Sequence, residues 1–258
     1  MLRFPAPPPP SLTHTHTHTH THTHTHTPSI SRHGSFEEAG GKRGVFRVRS
    51  NSLTVVSSVD LFRKMTDAML RGGVKLLAID WDMTMVSCHT RGQWYGTVEE
   101  LGRHIRPVFR KLVSTAVATG LGISVVSFSC QAQLIKGALA SALPAIDTSS
   151  FVIRCSDKRW DVSETAMASL FPGAHKSSPG KLTHIYSAAQ QMCLVDKENG
   201  LRIRPEDIVL IDDDVQNVQN ALENRVTAVL MDPEAPDAFL DSLSERYLAD
   251  TFKAKCTV

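Results

Sequence analysis

Two aspartates two residues apart, Asp80 and Asp82 in the stretch LLAIDWDMTMV, are the side chains best placed to do chemistry. Side-chain direction in an extended chain repeats every second residue, so both carboxylates project to one side. Two acids that close do not both ionise freely unless a cation lies between them or one pKa is pushed up. The pair can hold a metal, or supply a nucleophile beside a general acid. Taken alone, Asp80 and Asp82 also fit a plain turn after a strand. Three further features add context. Asp212-Asp213-Asp214 follows one apolar run, Ser127 follows another, and Lys181 follows Gly180 where a helical pattern begins. A carboxylate pair, a second acidic cluster, a hydroxyl and a lysine suit a phosphate and a hard divalent cation. Magnesium prefers carboxylate oxygens, and a phosphoryl group needs cationic and hydrogen-bonding partners.

These residues converge only if the elements between them align. Leu76 to Ile79 are four uninterrupted apolar residues, the pattern of a parallel strand covered on both faces. Ile123–Val126, Phe151–Arg154, Ile208–Ile211 and Thr227–Met231 read as four more strands. Helices are expected from Ser58 to Leu70, ended by Gly72-Gly73; from Thr97, whose spacing to Glu100 is that of a capping box; and from Pro107 to a stop at Gly120. Ala132–Leu143, Val162–Phe171, Leu182–Leu194, Val215–Leu222 and Pro236–Tyr247 complete the set. Strands alternating with helices imply βαβ units and a mostly parallel, five-stranded sheet flanked by helices. In such a sheet ligands collect beyond the carboxyl ends of the strands, where Asp80, Asp82, Ser127 and Asp212 to Asp214 all fall.

The first 58 residues differ in kind from the rest. They hold a run of four prolines, Pro7 to Pro10, and strict Thr-His alternation from Thr13 to Thr27 that contains seven of the twelve histidines. Such a segment offers nothing to bury and is expected to be disordered, leaving residues 59–258 as the folded domain. The tract reads as a translated CA dinucleotide repeat, or as a zinc or nickel chelator. The leader has no acid before Glu37 and several arginines, a transit-peptide composition, but its prolines oppose the amphipathic helix such a peptide needs. The cytoplasm is the expected compartment, with organelle import the less favoured alternative.

Of the 258 residues 41% are hydrophobic, enough for a core, and 28 Lys and Arg against 26 Asp and Glu give no argument for nucleic acid or a membrane surface. Five cysteines, at 88, 130, 155, 193 and 256, form no C-x-x-C pair and read as free thiols in a reducing compartment. No apolar run approaches the ~20 residues of a membrane helix, so a soluble protein is expected.

The order D-W-D-M-T, strand-end Ser127, Lys181, then I-D-D-D-V-Q-N resembles the four motifs of the haloacid dehalogenase (HAD) superfamily of aspartate-nucleophile phosphohydrolases. The resemblance covers Val74 to Met231. GISVVSFS, PGKLTHI and VLIDDDVQN are most similar to the small, capless magnesium-dependent phosphatases related to eukaryotic protein-tyrosine and sugar phosphatases. The resemblance implies a Rossmann-like HAD fold in which Asp80 attacks phosphorus and forms a phosphoaspartyl intermediate, while Asp82 protonates the leaving oxygen and then activates water. It implies that Ser127 and the backbone amide of Phe128 hold phosphoryl oxygens and that Lys181 neutralises charge. It further implies Mg²⁺ on Asp80, the backbone carbonyl of Asp82, and Asp213, with Asp212, Asp214 or Asn217 assisting. Trp81 and Met83 are bulkier than the family's usual residues, and three consecutive aspartates leave the direct ligand open.

An acid at Asp82 separates phosphatases from the dehalogenases of the superfamily, which lack it. The spacings from Thr84 to Ser127 and from Ser127 to Lys181 leave no room for a large cap domain. An open site implies a phosphoprotein or a small phosphate ester as substrate; from the charge balance and the lack of a long apolar run no nucleic acid or membrane partner is expected, and the oligomeric state is not legible. The stretch Ser87 to Gly96 can form a partial flap, with Trp94 and Tyr95 framing the entrance or simply packing. Two alternatives remain: a catalytically silent phosphoprotein- or metal-binding scaffold, and a carboxy-terminal-domain-type protein serine phosphatase.

Overall fold

The structure, a computed structural model, describes residues 58–157, 160–163, 165, 180–196 and 200–253. The leader short of Ser58, and most of the helix expected over Val162–Phe171, lie outside the described residues.

Five strands form one parallel sheet: β1 (Leu76–Asp80), β2 (Gly122–Val126), β3 (Val152–Arg154), β4 (Ile208–Asp212) and β5 (Thr227–Leu230), in the order β3-β2-β1-β4-β5. The chain therefore has an α/β, Rossmann-like architecture. β1 is the central strand and is buried along its whole length, which its unbroken apolar run requires. Its register sets the site. Ile79 pairs with Ile211 and Asp80 with Val126, so Asp80 and Asp212 end neighbouring strands at one level and Ser127 lies one residue past that line.

Helices cover both faces of the sheet. Alternate residues Leu77 and Ile79 of β1, with Ile123, Val125, Val209 and Ile211, pack under α1 (Ser58–Arg71), α3 (Pro107–Thr119), α4 (Ala132–Ala142) and α7 (Phe239–Lys253). Leu76, Ala78, Val126, Ile208 and Leu210 face the other way, against α5 (Leu182–Val195) and α6 (Val215–Glu223). Within the first layer Phe109 of α3 stacks on Phe239 of α7, ring centroids 5.3 Å apart.

Local signals set several helix ends. Thr97 accepts from the Glu100 amide and the Glu100 carboxylate accepts from the Thr97 amide, the reciprocal cap of α2 (Val98–Arg103). Pro107 opens α3, and Gly120, at φ 89°, closes it in the left-handed region that glycine favours. The last helix differs from expectation. It begins at Phe239 rather than Pro236 and runs to Lys253, because Ala235, Ala238 and Leu240 donate to carbonyls three residues back and make successive turns first.

Between β1 and β2 the chain carries one loop, α2 and α3, so no inserted domain covers the sheet edge there. No described helix is long and apolar enough to cross a membrane. Cys88, Cys130, Cys155 and Cys193 are all free thiols.

At the opposite end of the sheet, Asp207 joins β1 to the approach of β4. Its carboxylate accepts from Lys75 Nζ, the Arg204 amide and Arg204 Nη2, each at 3.1 Å. Burial by itself would raise the Asp207 pKa, but the bonds from Arg204 and Lys75 outweigh it and hold the carboxyl below its ordinary value. A depressed carboxylate pKa contributes stability above the unfolded-state value of about 3.9 and loses it as pH falls through the folded one. The stability gap between the natural protein and Asp207→Asn, read from urea midpoints, should be full at neutral pH and shrink below about pH 4. Phe109→Ala empties a fully buried site and should cost about 3–5 kcal/mol in the same titration.

Candidate active site

Asp80 ends β1, 5% exposed, and its carboxylate takes a hydrogen-bonded ion pair from Lys181, itself 3% exposed. Lys181 precedes the first residue of α5, and its Nζ also donates to the Val126 carbonyl at 3.2 Å. The ammonium is thus held between the ends of β1 and β2. Gly180 makes this approach possible. It sits at φ +53°, and a Cβ there would lie 2.8 Å from Asn217 Oδ1.

A second layer of acid lies beside this pair. One carboxylate oxygen each from Asp80, Asp212 and Asp213 lie within 4.8 Å of one another. Asp212 is oriented by the Asp214 amide at 2.9 Å and by Asn217 Nδ2, 3.2 Å from both its oxygens. Asp213 is held by Thr84, whose hydroxyl donates to Asp213 Oδ1 at 2.8 Å and accepts from its amide at 3.0 Å. Asp214 turns away and caps α6, accepting from the Gln216 and Asn217 amides. Burial pushes the Asp80 and Asp212 carboxyls well above the carboxylate range; Lys181 opposes this, and neighbouring acids add to it. Three hard oxygen donors crowded around one lysine are a site short of positive charge, and a divalent cation of the Mg²⁺ class fits that donor set.

Asp82 does not join the acid cluster through its carboxylate. The chain leaves β1 in one wide turn, Trp81–Met85, closed by the Val86 amide donating to the Trp81 carbonyl at 3.0 Å. Met83 lies at φ 59°, and Arg106 bridges this turn by donating from Nη2 to the Met83 carbonyl at 3.0 Å. The Asp82 carboxylate accepts the Thr90 amide at 2.5 Å and has His89 Nδ1 3.5 Å away. The segment that follows is sewn to the loop after β2: Trp94 and Gln131 exchange two hydrogen bonds, and Ser129 Oγ reaches the Gly92 carbonyl. Trp94 is half-buried against His104, whereas Tyr95 stands 87% exposed.

On the β2 side, Ser127 is fully buried and its Oγ accepts the Ser129 amide at 3.1 Å. The Phe128 ring lies over Lys181 Nζ, 4.2 Å from ring centre to nitrogen, and half of the residue remains exposed. His184, one turn along α5 from Lys181, packs edge-on against Phe128 and Trp160. Burial, then the charges of Lys181 and Arg154, push its pKa down to about 4, so the imidazole is neutral at physiological pH.

Asp80, Lys181, Asp212 and Asp213 therefore come together, with Ser127, Phe128 and Asp82 around them. Asp212 enters as a full member of the acid cluster, although the sequence marks it only as one of three adjacent aspartates. Arg106 and His184 carried no signal. Neither belongs to a spacing pattern, and each acts through contacts from a distant part of the chain.

No protein-family model matches the sequence, and no curated protein matches it. Solved structures do show a likeness. A hypothetical protein of Xanthomonas campestris is 12% identical with a TM-score of 0.34, over 76% of this chain and 94% of that one. The HAD domain of the effector protein Lem4 of Legionella pneumophila is 14% identical with a TM-score of 0.37, over 68% of this chain and 94% of that one. At that level neither likeness bears on chemistry; the side chains at the sheet edge do.

If the three carboxylates share a cation, Mg²⁺ should raise the melting temperature of the full chain relative to EDTA, since a ligand of the folded state alone stabilises it. Asp213→Asn should remove that shift, as read by differential scanning calorimetry.

Proposed function

We propose that this chain is a magnesium-dependent phosphatase of the haloacid dehalogenase type, within its capless branch, and that it hydrolyses phosphate monoesters through Asp80. The observation that carries the reading is the buried Asp80–Lys181 pair set against Asp212 and Asp213 at the ends of adjacent strands. A structural ion pair would have no use for two further acids within reach, and a turn-forming Asp would not be buried beneath a lysine.

In this reading an Asp80 carboxylate oxygen attacks phosphorus, the ester P–O bond breaks, and the leaving oxygen takes its proton from the Asp82 carboxyl. Asp82 then removes a proton from water, the resulting hydroxide attacks phosphorus, and the Asp80–phosphorus bond breaks to release inorganic phosphate. Lys181 favours the ionised form of Asp80 against the effect of burial and offsets charge on the phosphoryl oxygens, which the Ser127 hydroxyl and the Phe128 amide help to hold. Asp80, Asp213 and the Asp82 carbonyl would hold Mg²⁺, with Asp212 assisting. When bound, the cation neutralises the crowded carboxylates and the phosphoryl oxygens. The Thr90 amide and His89 lie against the Asp82 carboxylate and would orient it for that transfer.

The full chain should hydrolyse p-nitrophenyl phosphate with Mg²⁺, lose turnover in EDTA, and lose it in Asp80→Asn. A folded protein that binds Mg²⁺ but turns over no ester would replace this reading with a phosphate-binding scaffold.

A further inference from the structure

A cavity of about 850 Å³ opens between the loop after β1 and α2, and no step above uses it. It adjoins the chemistry through its inner wall, where Thr90 and His89 both contact the Asp82 carboxylate. In the reading above Asp82 protonates the leaving oxygen, so a group attached to that oxygen would have these two residues and the cavity beyond them within reach. The wall is held in place. Trp94 packs edge-on to His104, ring centroids 5.7 Å apart, and its main chain is bonded to Gln131 in the loop that carries Ser127.

Two observations point to what the cavity takes. The first is charge: Arg91 and Arg103 line it, and neither has a carboxylate partner among the described residues. The acid in its lining, Glu100, has Oε2 engaged by the Thr97 amide at 2.8 Å. Two guanidiniums with fixed fork geometry suit carboxylate or phosphate oxygens. The second is an unmet hydrogen bond. Thr90 is 5% exposed, and its Oγ1 is buried with no partner among the described residues. Buried hydroxyls are nearly always paired, and a ligand oxygen would complete this one.

We propose that the cavity seats a second anionic group on the alcohol that leaves. The substrate is a small phosphate ester whose leaving group bears a carboxylate or a further phosphate, and Arg91 and Arg103 hold that group while Asp82 protonates the ester oxygen. The volume lies within the ~300–1,000 Å³ of small-molecule sites. This rests on the phosphatase reading, but it has its own failure.

Phenyl phosphate, 4-carboxyphenyl phosphate and 1,4-phenylene bisphosphate would be compared as substrates of the full chain with Mg²⁺. Their binding to the Asp80→Asn protein would be measured by calorimetry. A KM about tenfold lower for the doubly anionic esters is expected, the scale of one added charge-assisted hydrogen bond. The ranking of carboxylate against phosphate identifies which anion is preferred. The double variant Arg91→Gln, Arg103→Gln should lose the preference while its KM for phenyl phosphate stays unchanged. Equal KM values for all three esters, or a preference that survives in the double variant, would overturn the proposal. Absence of turnover with every ester would instead sink the phosphatase reading. The calorimetric contrast then decides alone: tighter binding of the doubly anionic ligands, lost in the double variant, upholds the cavity, and equal binding overturns it.

Discussion

The buried pair of Asp80 and Lys181 is the interaction on which the site depends. Removing two charges from water is costly, and their attraction offsets that cost only where geometry is good and the remaining atoms are bonded. Here the lysine is steered by Gly180, which lets α5 start close to Asn217, and by the Val126 carbonyl at the end of β2. The aspartate is steered by a strand with no exposed residue. Asp212 and Asp213 then add acid beside a single lysine, a donor set that could hold a cation.

The structure around this pair gives neighbouring acids different surroundings. Asp80 and Asp212 are buried at the sheet edge, Asp213 is tied to Thr84, and Asp214 spends its carboxylate on the cap of α6. Asp82 is turned out by the wide loop and bonded to the main chain of Thr90. Carboxylates two residues apart in sequence thus meet different environments, as the proposed division into nucleophile and general acid requires. The strained Met83 is stabilised by Arg106, whose other end reaches Pro233 beyond β5.

The loop after β1 has a related role. Its bonds to Gln131 and Ser129 couple the wall of the basic cavity to the loop after β2, so the cavity and the Ser127 end of the sheet share one connected surface. His184 supports the same surface from below. Kept neutral by burial and by Lys181, it packs under Phe128 without adding charge to a site that already balances several.

Local patterns in the sequence determined the parts of this protein that depend on near neighbours. The apolar run before Asp80 marked a strand covered on both faces, Thr97 with Glu100 marked a helix start, Gly120 marked a helix end, and the order of acids, serine and lysine marked one sheet edge. Only the tertiary structure decided which acids share that edge as neighbours. Asp212 rather than Asp214 joins Asp80 because β4 pairs with β1 in a register that sets Ile211 beside Ile79, and register is settled between strands, not within one. The clamp from Arg106 and the neutral His184 were decided in the same way. Each depends on contacts across long stretches of chain, and spacing along a sequence carries no record of those distances.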